Sequence, residues 1–191
     1  MKKIFYLFSL LTLGVILSFT PAKKKIIVID AGHGGKDLGA NVNKINEKDI
    51  TLNIAKKIKE LSKSKEDFEI ILTRDNDTEL SLGERISKIN KLNPDYVISL
   101  HMNNSKKPSD NGLEVFIQEK ESSKMLAEKF GQIFNISKLA EGDLQILKTT
   151  DAPTIVMELG YLTNENERIY FSSPEGQNAF AEKFIYFLEQ K

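Results

Sequence analysis

The chain has no cysteine and only two histidines in 191 residues. Without cysteine there is no disulfide, no thiolate zinc site, no cysteine nucleophile and no cysteine-linked lipid. A disulfide-free protein survives in either redox compartment, so this absence does not fix one. Any metal must be held by histidine and carboxylate. An excess of either charge is also missing: Lys+Arg and Asp+Glu number 27 each. The chain therefore presents no basic field for nucleic acid and no acidic tail. There is no internal repeat, low-complexity tract or second-domain linker, and the length left after an N-terminal segment supports one hydrophobic core.

Residues 1–22 (MKKIFYLFSLLTLGVILSFTPA) begin with Lys2 and Lys3, run apolar from Ile4 to Phe19, and end near Pro21 and Ala22. That is the outline of a secretory signal peptide. An uncleaved membrane anchor is the competing reading, because the run is nearly long enough to span. A buried first helix is disfavoured, since a small domain does not bury a helix that is apolar on every face. The chain is expected to be exported to the periplasm or cell envelope, touching membrane only through this segment if it is retained. Residues 23–191 form the expected catalytic domain.

In that domain, short β-branched runs alternate with helical periodicity. Residues 26–29 (IIVI), 68–73 (FEIILT), 96–100 (YVISL), 113–117 (LEVFI) and 154–157 (TIVM) read as strands, with 144–147 a further short one. Residues 46–61 place Ile50, Ile54, Ile58 and Leu61 at helical spacing behind Asn46 as N-cap. Ser81 and Glu84 form a capping-box pattern that opens a helix through Ile86, Ile89 and Leu92, stopped by Pro94. Residues 122–134 turn Met125, Leu126, Phe130 and Ile133 inward. Ser173 and Pro174 open a last helix that buries Phe180, Phe184, Phe187 and Leu188. The order predicts an α/β fold: a single three-layer domain with a mostly parallel central sheet of about six strands flanked by helices, and an antiparallel member near Leu113.

Each histidine stands just beyond a predicted strand, His33 after IIVID and His101 after YVISL, and Glu158 follows TIVM. In open α/β sheets ligands gather outside the carboxyl ends of strands, so these three residues converge on one crevice. Glu47, in the first turn of a helix, completes the set if that turn lies nearby. Two imidazoles and a carboxylate, with a fourth position left to water, suit catalytic zinc; the same ligands suit non-heme iron. Sheet-end placement and export to a compartment without an assured reducing cosubstrate favour zinc. Bland readings exist for each residue. A loop histidine is commonly a surface group, and an acid in a first helical turn is ordinary dipole electrostatics. A carboxylate directly after an apolar strand is harder to dismiss, because burying it unpaired is costly. Gly32-His33-Gly34-Gly35 is no dinucleotide loop, since Asp37 takes the third glycine's place; no G-x-S-x-G elbow or phosphate loop occurs.

Six segments taken in order, IVIDAGHGGKDLGA (27–40), NEKDITLNIAKKI (46–58), LTRDNDTELSLGERISKIN (72–90), PDYVISLHMN (94–103), NGLEVF (111–116) and APTIVMELGYLTNENE (152–167), resemble the zinc-dependent N-acetylmuramoyl-L-alanine amidases of the amidase 3 type. The resemblance implies zinc held by His33, Glu47 and His101, with Glu158 as catalytic acid/base. The implied reaction is hydrolysis of the amide between N-acetylmuramic acid and L-alanine in peptidoglycan or muropeptides. Asn41-Val42-Asn43, where relatives tend to carry a glycine, and Met102, at a commonly small position, depart from the pattern. Some relatives carry an inserted helix that covers the zinc until an activator protein moves it; residues 104–111 and 135–143 look too short for one. An activator is left open as a partner, and a monomer is expected. Arg74 and Arg85 are read either as partners for stem-peptide carboxylates or as residues of surface or helix-end salt bridges.

Overall fold

A computed structural model describes residues 23–190; the segment read as an export signal lies outside the described residues. The elements follow in chain order as β1 (Lys25–Ala31), β2 (Asn41–Val42), β3 (Ile45–Asn46), α1 (Glu47–Ser62), β4 (Phe68–Leu72), α2 (Leu82–Leu92) and β5 (Tyr96–Asn103). After these come β6 (Leu113–Ile117), α3 (Glu121–Gly131), β7 (Ile136–Glu141), α4 (Gln145–Thr149), β8 (Thr154–Tyr161), α5 (Glu165–Ser172) and α6 (Pro174–Glu189).

One six-stranded sheet runs in the order β4-β1-β5-β8-β6-β7. All its pairings are parallel except β6 with β8. The antiparallel member expected near Leu113 is therefore β6. Central strands are apolar on both faces because helices cover both, as parallel sheets require. On one side Ile27, Ile29, Ile98, Leu100, Ile155 and Met157 pack against α1, α3 and α6. On the other Val28, Val97 and Val156 meet Ile89 of α2 and Ile146 and Leu147 of α4. Phe130 of α3 is the hub of the larger core, stacked on Phe134 at 4.0 Å between ring centroids and edge-on to Phe187 at 4.8 Å.

Helix ends follow local chemistry. Ser81 and Glu84 make the full capping box, Asn93 ends α2 in the left-handed region, and the Ser173 hydroxyl accepts from Gly176 N–H at 3.0 Å. Asn46 starts α1 without a side-chain cap; its amide donates instead to Asp49 Oδ2 at 2.8 Å.

Several expectations are corrected. Residues 144–147 are not a strand: Ile146 and Leu147 belong to α4, where so short an apolar piece satisfies one buried helical face as well as it would a strand. The sixth strand is β7, an edge strand with mostly exposed side chains and therefore no apolar signal. Met125 is 54% exposed, so it does not point inward as read, and Leu61, at the end of the α1 stripe, is 37% exposed. No helix among the described residues is long and apolar enough to cross a membrane.

Candidate metal centre

At the carboxyl end of β1 the chain turns through Gly32-His33-Gly34-Gly35. His33 takes φ 59°, Gly34 φ 133° and Gly35 φ 60°. The left-handed region is unfavourable for a side-chain-bearing residue, so the His33 turn has to be held by its surroundings. Two buried arginines surround it. Arg85 pairs with Asp30 at 2.8 Å, donates to Ala31 O at 2.7 Å and also donates to His33 O. Arg74 donates to Ala31 O at 2.9 Å, Gly32 O at 2.8 Å and Lys48 O at 2.9 Å. At 3% and 5% exposure, Arg74 and Arg85 are neither substrate partners nor surface ion pairs; of the helix-end salt bridges expected, Arg85 makes one, near the start of α2, but to buried Asp30.

Beyond this turn the antiparallel β2-β3 hairpin reverses through Asn43 (φ 52°) and Lys44 (φ 65°). Positive φ at both central residues marks a turn matched to strand twist. The hairpin is where the chain departs from the resemblance at residues 41–43, and it brings Glu47 N–H onto Ala40 O at 2.8 Å. Glu47, 3% exposed, thus faces the His33 turn.

The sequence-predicted ligands meet. His33 Nε2 lies 3.0 Å and His101 Nδ1 2.9 Å from Glu47 Oε1, with the imidazoles edge to face at a centroid distance of 5.0 Å. One ligand atom from each of His33, Glu47 and His101 falls within 4.8 Å of the others, so the group could hold a metal ion. Backbone amides steady the carboxylate: Met102 N–H donates to Oε1 at 3.0 Å and Ala40 N–H to Oε2 at 2.8 Å. His33 Nδ1 is engaged by Asp37 Oδ2 at 2.8 Å, which leaves Nε2 toward the centre. A carboxylate on the far nitrogen is the usual way a metal-binding imidazole is oriented.

Glycine keeps the space open. A Cβ on Gly32 would stand 2.4 Å from His101 Cε1, and one on Gly39 (φ 64°) 2.5 Å from Glu47 Oε2 and 2.6 Å from His33 Cδ2. Two imidazoles, one carboxylate and no thiolate in such a cradle fit a divalent cation of the zinc type.

Charge is concentrated here. Burial pulls the His33 pKa down, but hydrogen bonds and charge from Glu47 and Asp37 outweigh it and push the imidazole up to about 9 without metal. Burial pushes the Glu47 carboxyl up, yet the two histidines hold it well below the ordinary range.

Glu158 sits one strand away. His101 of β5 and Glu158 of β8 are register partners, as are Glu158 and Glu114 of β6, so the three residues form one transverse row. Among the described residues, Glu158 Oε2 is the one buried side-chain nitrogen or oxygen without a hydrogen-bond partner. Burial raises its pKa; neighbouring Glu47 and Glu114 add to the rise and His101 opposes it. Glu114 accepts from Tyr161 Oη at 2.5 Å and Lys138 Nζ at 3.3 Å, and this bond pushes the Tyr161 phenol up to about 12.

Sequence reasoning missed Asp37, whose signal was a carboxylate four residues after His33 in a glycine-rich turn. It also missed Glu114 and Tyr161, for which no single-sequence pattern stands out.

Fold and centre together define an α/β protein with a candidate metal centre at the carboxyl edge of its sheet. Residues 27–190 match the model of the Amidase_3 family, N-acetylmuramoyl-L-alanine amidase, and the chain belongs to that family. It is 34% identical over 173 residues to an endolysin of Bacillus phage SPP1, covering 83% of this chain and 62% of that protein. Against the probable cell wall amidase LytH of Staphylococcus saprophyticus identity is 35% over 156 residues, covering 77% and 51%. The chain thus spans about half to three fifths of the curated relatives it matches first. The catalytic domain of CwlV, an N-acetylmuramoyl-L-alanine amidase from Bacillus (Paenibacillus) polymyxa var. colistinus, superposes with a TM-score of 0.80 at 30% identity, covering 87% of this chain and 99% of that one. The CwlD amidase of Clostridioides difficile, in complex with the GerS lipoprotein, gives 0.78 at 28% identity, covering 88% and 100%.

Proposed function

We propose that the chain is a zinc-dependent N-acetylmuramoyl-L-alanine amidase that cleaves the amide joining the lactyl group of N-acetylmuramic acid to the L-alanine of peptidoglycan stem peptides. The observation that carries this reading is the convergence of His33, Glu47 and His101 beside Glu158, whose Oε2 is buried and unpartnered. Family membership supplies the substrate class.

His33 Nε2, a Glu47 oxygen and His101 Nδ1 would hold the cation. Bound there, zinc supplies Lewis acidity toward the scissile carbonyl and lowers the pKa of a water to about 7. Asp37 fixes the His33 ring so that Nε2 stays presented, and the Met102 and Ala40 amides hold Glu47. Glu158 is the acid/base. Its raised pKa makes it a stronger base than an exposed carboxylate, suited to take a proton from the attacking water at Oε2. The water oxygen bonds to the carbonyl carbon, the C–N bond breaks, and Glu158 delivers its proton to the departing alanine nitrogen.

Residues 1–22 serve in this reading as an export signal, with 23–191 acting as a monomer in the periplasm or cell envelope. The test is digestion of purified peptidoglycan by the chain lacking residues 1–22, with chelator and with zinc restored, products read by mass spectrometry. Chelator-sensitive release of stem peptides with a free L-alanine amine is expected. Cuts at other bonds would refute the assignment, and zinc binding without products would point to a missing activator or to a binding-only role.

A further inference from the structure

The two buried arginines do more than fill space behind the His33 turn. Three successive carbonyls, Ala31, Gly32 and His33, point at guanidinium groups, and Ala31 O receives one N–H from each arginine. Each arginine also reaches a second segment. Arg74 Nη2 donates to Lys48 O, in the first turn of α1 directly beside Glu47, and Thr51 Oγ1 of the same helix donates to Gly32 O at 3.0 Å. Arg85 is ion-paired to buried Asp30, whose other oxygen accepts from Ser99 Oγ at 2.8 Å, two residues before His101 on β5. One guanidinium therefore ties the His33 turn to the segment bearing Glu47, and the other ties it to the strand bearing His101.

We propose that Arg74 and Arg85 are positioning residues: together they pre-order the three side chains of the centre before a cation arrives, and so set its affinity for zinc. The proposal rests on the reading of His33, Glu47 and His101 as zinc ligands. Its physical basis is geometric. A guanidinium presents five donors in a rigid plane and fixes several carbonyls at once, whereas an ammonium presents three on a flexible stem with no fixed plane. A turn that places a non-glycine residue at φ 59° relaxes when its carbonyls are released, and His33 moves with it.

The experiment measures zinc affinity, by competition with a chromophoric chelator, and thermal melting in excess chelator for Arg74→Lys, Arg85→Lys and the control Phe184→Leu in the full chain. Phe184 packs among Phe130, Phe180 and Phe187, outside the centre, so its variant reports what lost stability alone does to binding. The arginine variants are expected to bind zinc about 10- to 100-fold more weakly, the usual effect of losing a group that orients metal ligands. The control, at a similar loss of melting temperature, should stay close to wild type. Arginine variants that bind as tightly as the control would overturn the proposal and leave the cradle as core packing. Should an arginine variant not fold, Ser99→Ala, which removes one hydroxyl from the Arg85–Asp30–β5 link, or Thr51→Val, which removes the hydroxyl joining Arg74 and Gly32 O, carries the test for that side with an expected weakening of at least about threefold; unchanged affinity there would overturn the link. A wild-type chain that binds no zinc would refute the ligand reading itself, which separates the two failures.

Discussion

Gly32→Ala isolates the geometry of the centre better than any ligand deletion, because it removes no donor. Gly32 does not have the left-handed φ of its neighbours, so alanine is allowed by the backbone. The obstacle is His101: the added Cβ would lie 2.4 Å from Cε1, 2.7 Å from Nδ1 and 2.8 Å from Nε2. Ordinary carbon contacts are about 3.5–4.0 Å, so the ring must retreat by about 1 Å or more. Gly32 cannot give way easily, since its N–H donates to Leu100 O at 3.1 Å and pins it to β5. A site of this kind tolerates about 0.5 Å, and a 1 Å misplacement costs on the order of 100-fold in rate. Overpacking should cost about 1–3 kcal/mol, which for a chain of this size lowers the melting temperature by about 2–12 °C. The assays are zinc competition, wall digestion and melting in chelator. Gly83→Ala in α2, with nothing within 4 Å of the new Cβ, is the companion and should stabilise by a few tenths to about 1 kcal/mol. A Gly32→Ala protein with wild-type zinc affinity and rate would refute the reasoning.

Glu158→Gln should cut the rate by about two to four orders of magnitude while zinc stays bound. Its stability should move the other way. The folded pKa of Glu158 is raised, so ionisation destabilises the native state as pH rises above the ordinary carboxylate range. In chelator at neutral pH the glutamine variant should melt above the parent, and the gain should vanish in acid; a lower melting temperature at pH 7 would count against the buried-carboxylate picture. His33 has a linkage of the same sign in a higher pH window. With its folded pKa at about 9, its stabilising contribution without metal is complete below the unfolded value near 6.5 and is lost as pH rises through 9. Asp37→Asn should flatten that dependence and weaken zinc binding, and zinc affinity of the parent should itself climb with pH as the His33 proton becomes easier to displace; calorimetric titrations at several pH values check both. Phe130→Ala should cost about 3–5 kcal/mol in denaturant titration, because the ring is fully buried and in contact with three others.

Central strands were legible because burial on both faces leaves a continuous β-branched run, as in residues 26–29 and 154–157. β7 was not, since an edge strand exposing Lys138 and Leu139 carries no such run. α5 escaped for a related reason: only Arg168 and Phe171 are buried, although Asn164, which accepts from the Asn166 and Glu167 amides, was a readable cap. Within the centre, His33 and His101 were found by their position after strands. Glu47 could be read only on the condition that its helical turn lay nearby, because the hairpin that aims it is made by Asn43 and Lys44 rather than by glycine. The arginines were misread because, Asp30 and Thr51 apart, their partners are backbone carbonyls, which no side-chain pattern reveals.

The transverse row of His101, Glu158 and Glu114 has a consequence for how this molecule can vary. Adjacent strands lie about 4.8 Å apart whatever their loops do, so the sheet acts as a ruler between a ligand-bearing strand and the strand carrying the proposed base. Insertions in residues 104–112 or 162–164 can lengthen the loops that follow β5 and β8 without altering that spacing. Deleting a single residue between Pro153 and Glu158 is a different matter, because it would swing Glu158 to the opposite face of the sheet. Natural variation in such a scaffold should accumulate as changes in loop length, while the lengths of β5 and β8 stay fixed.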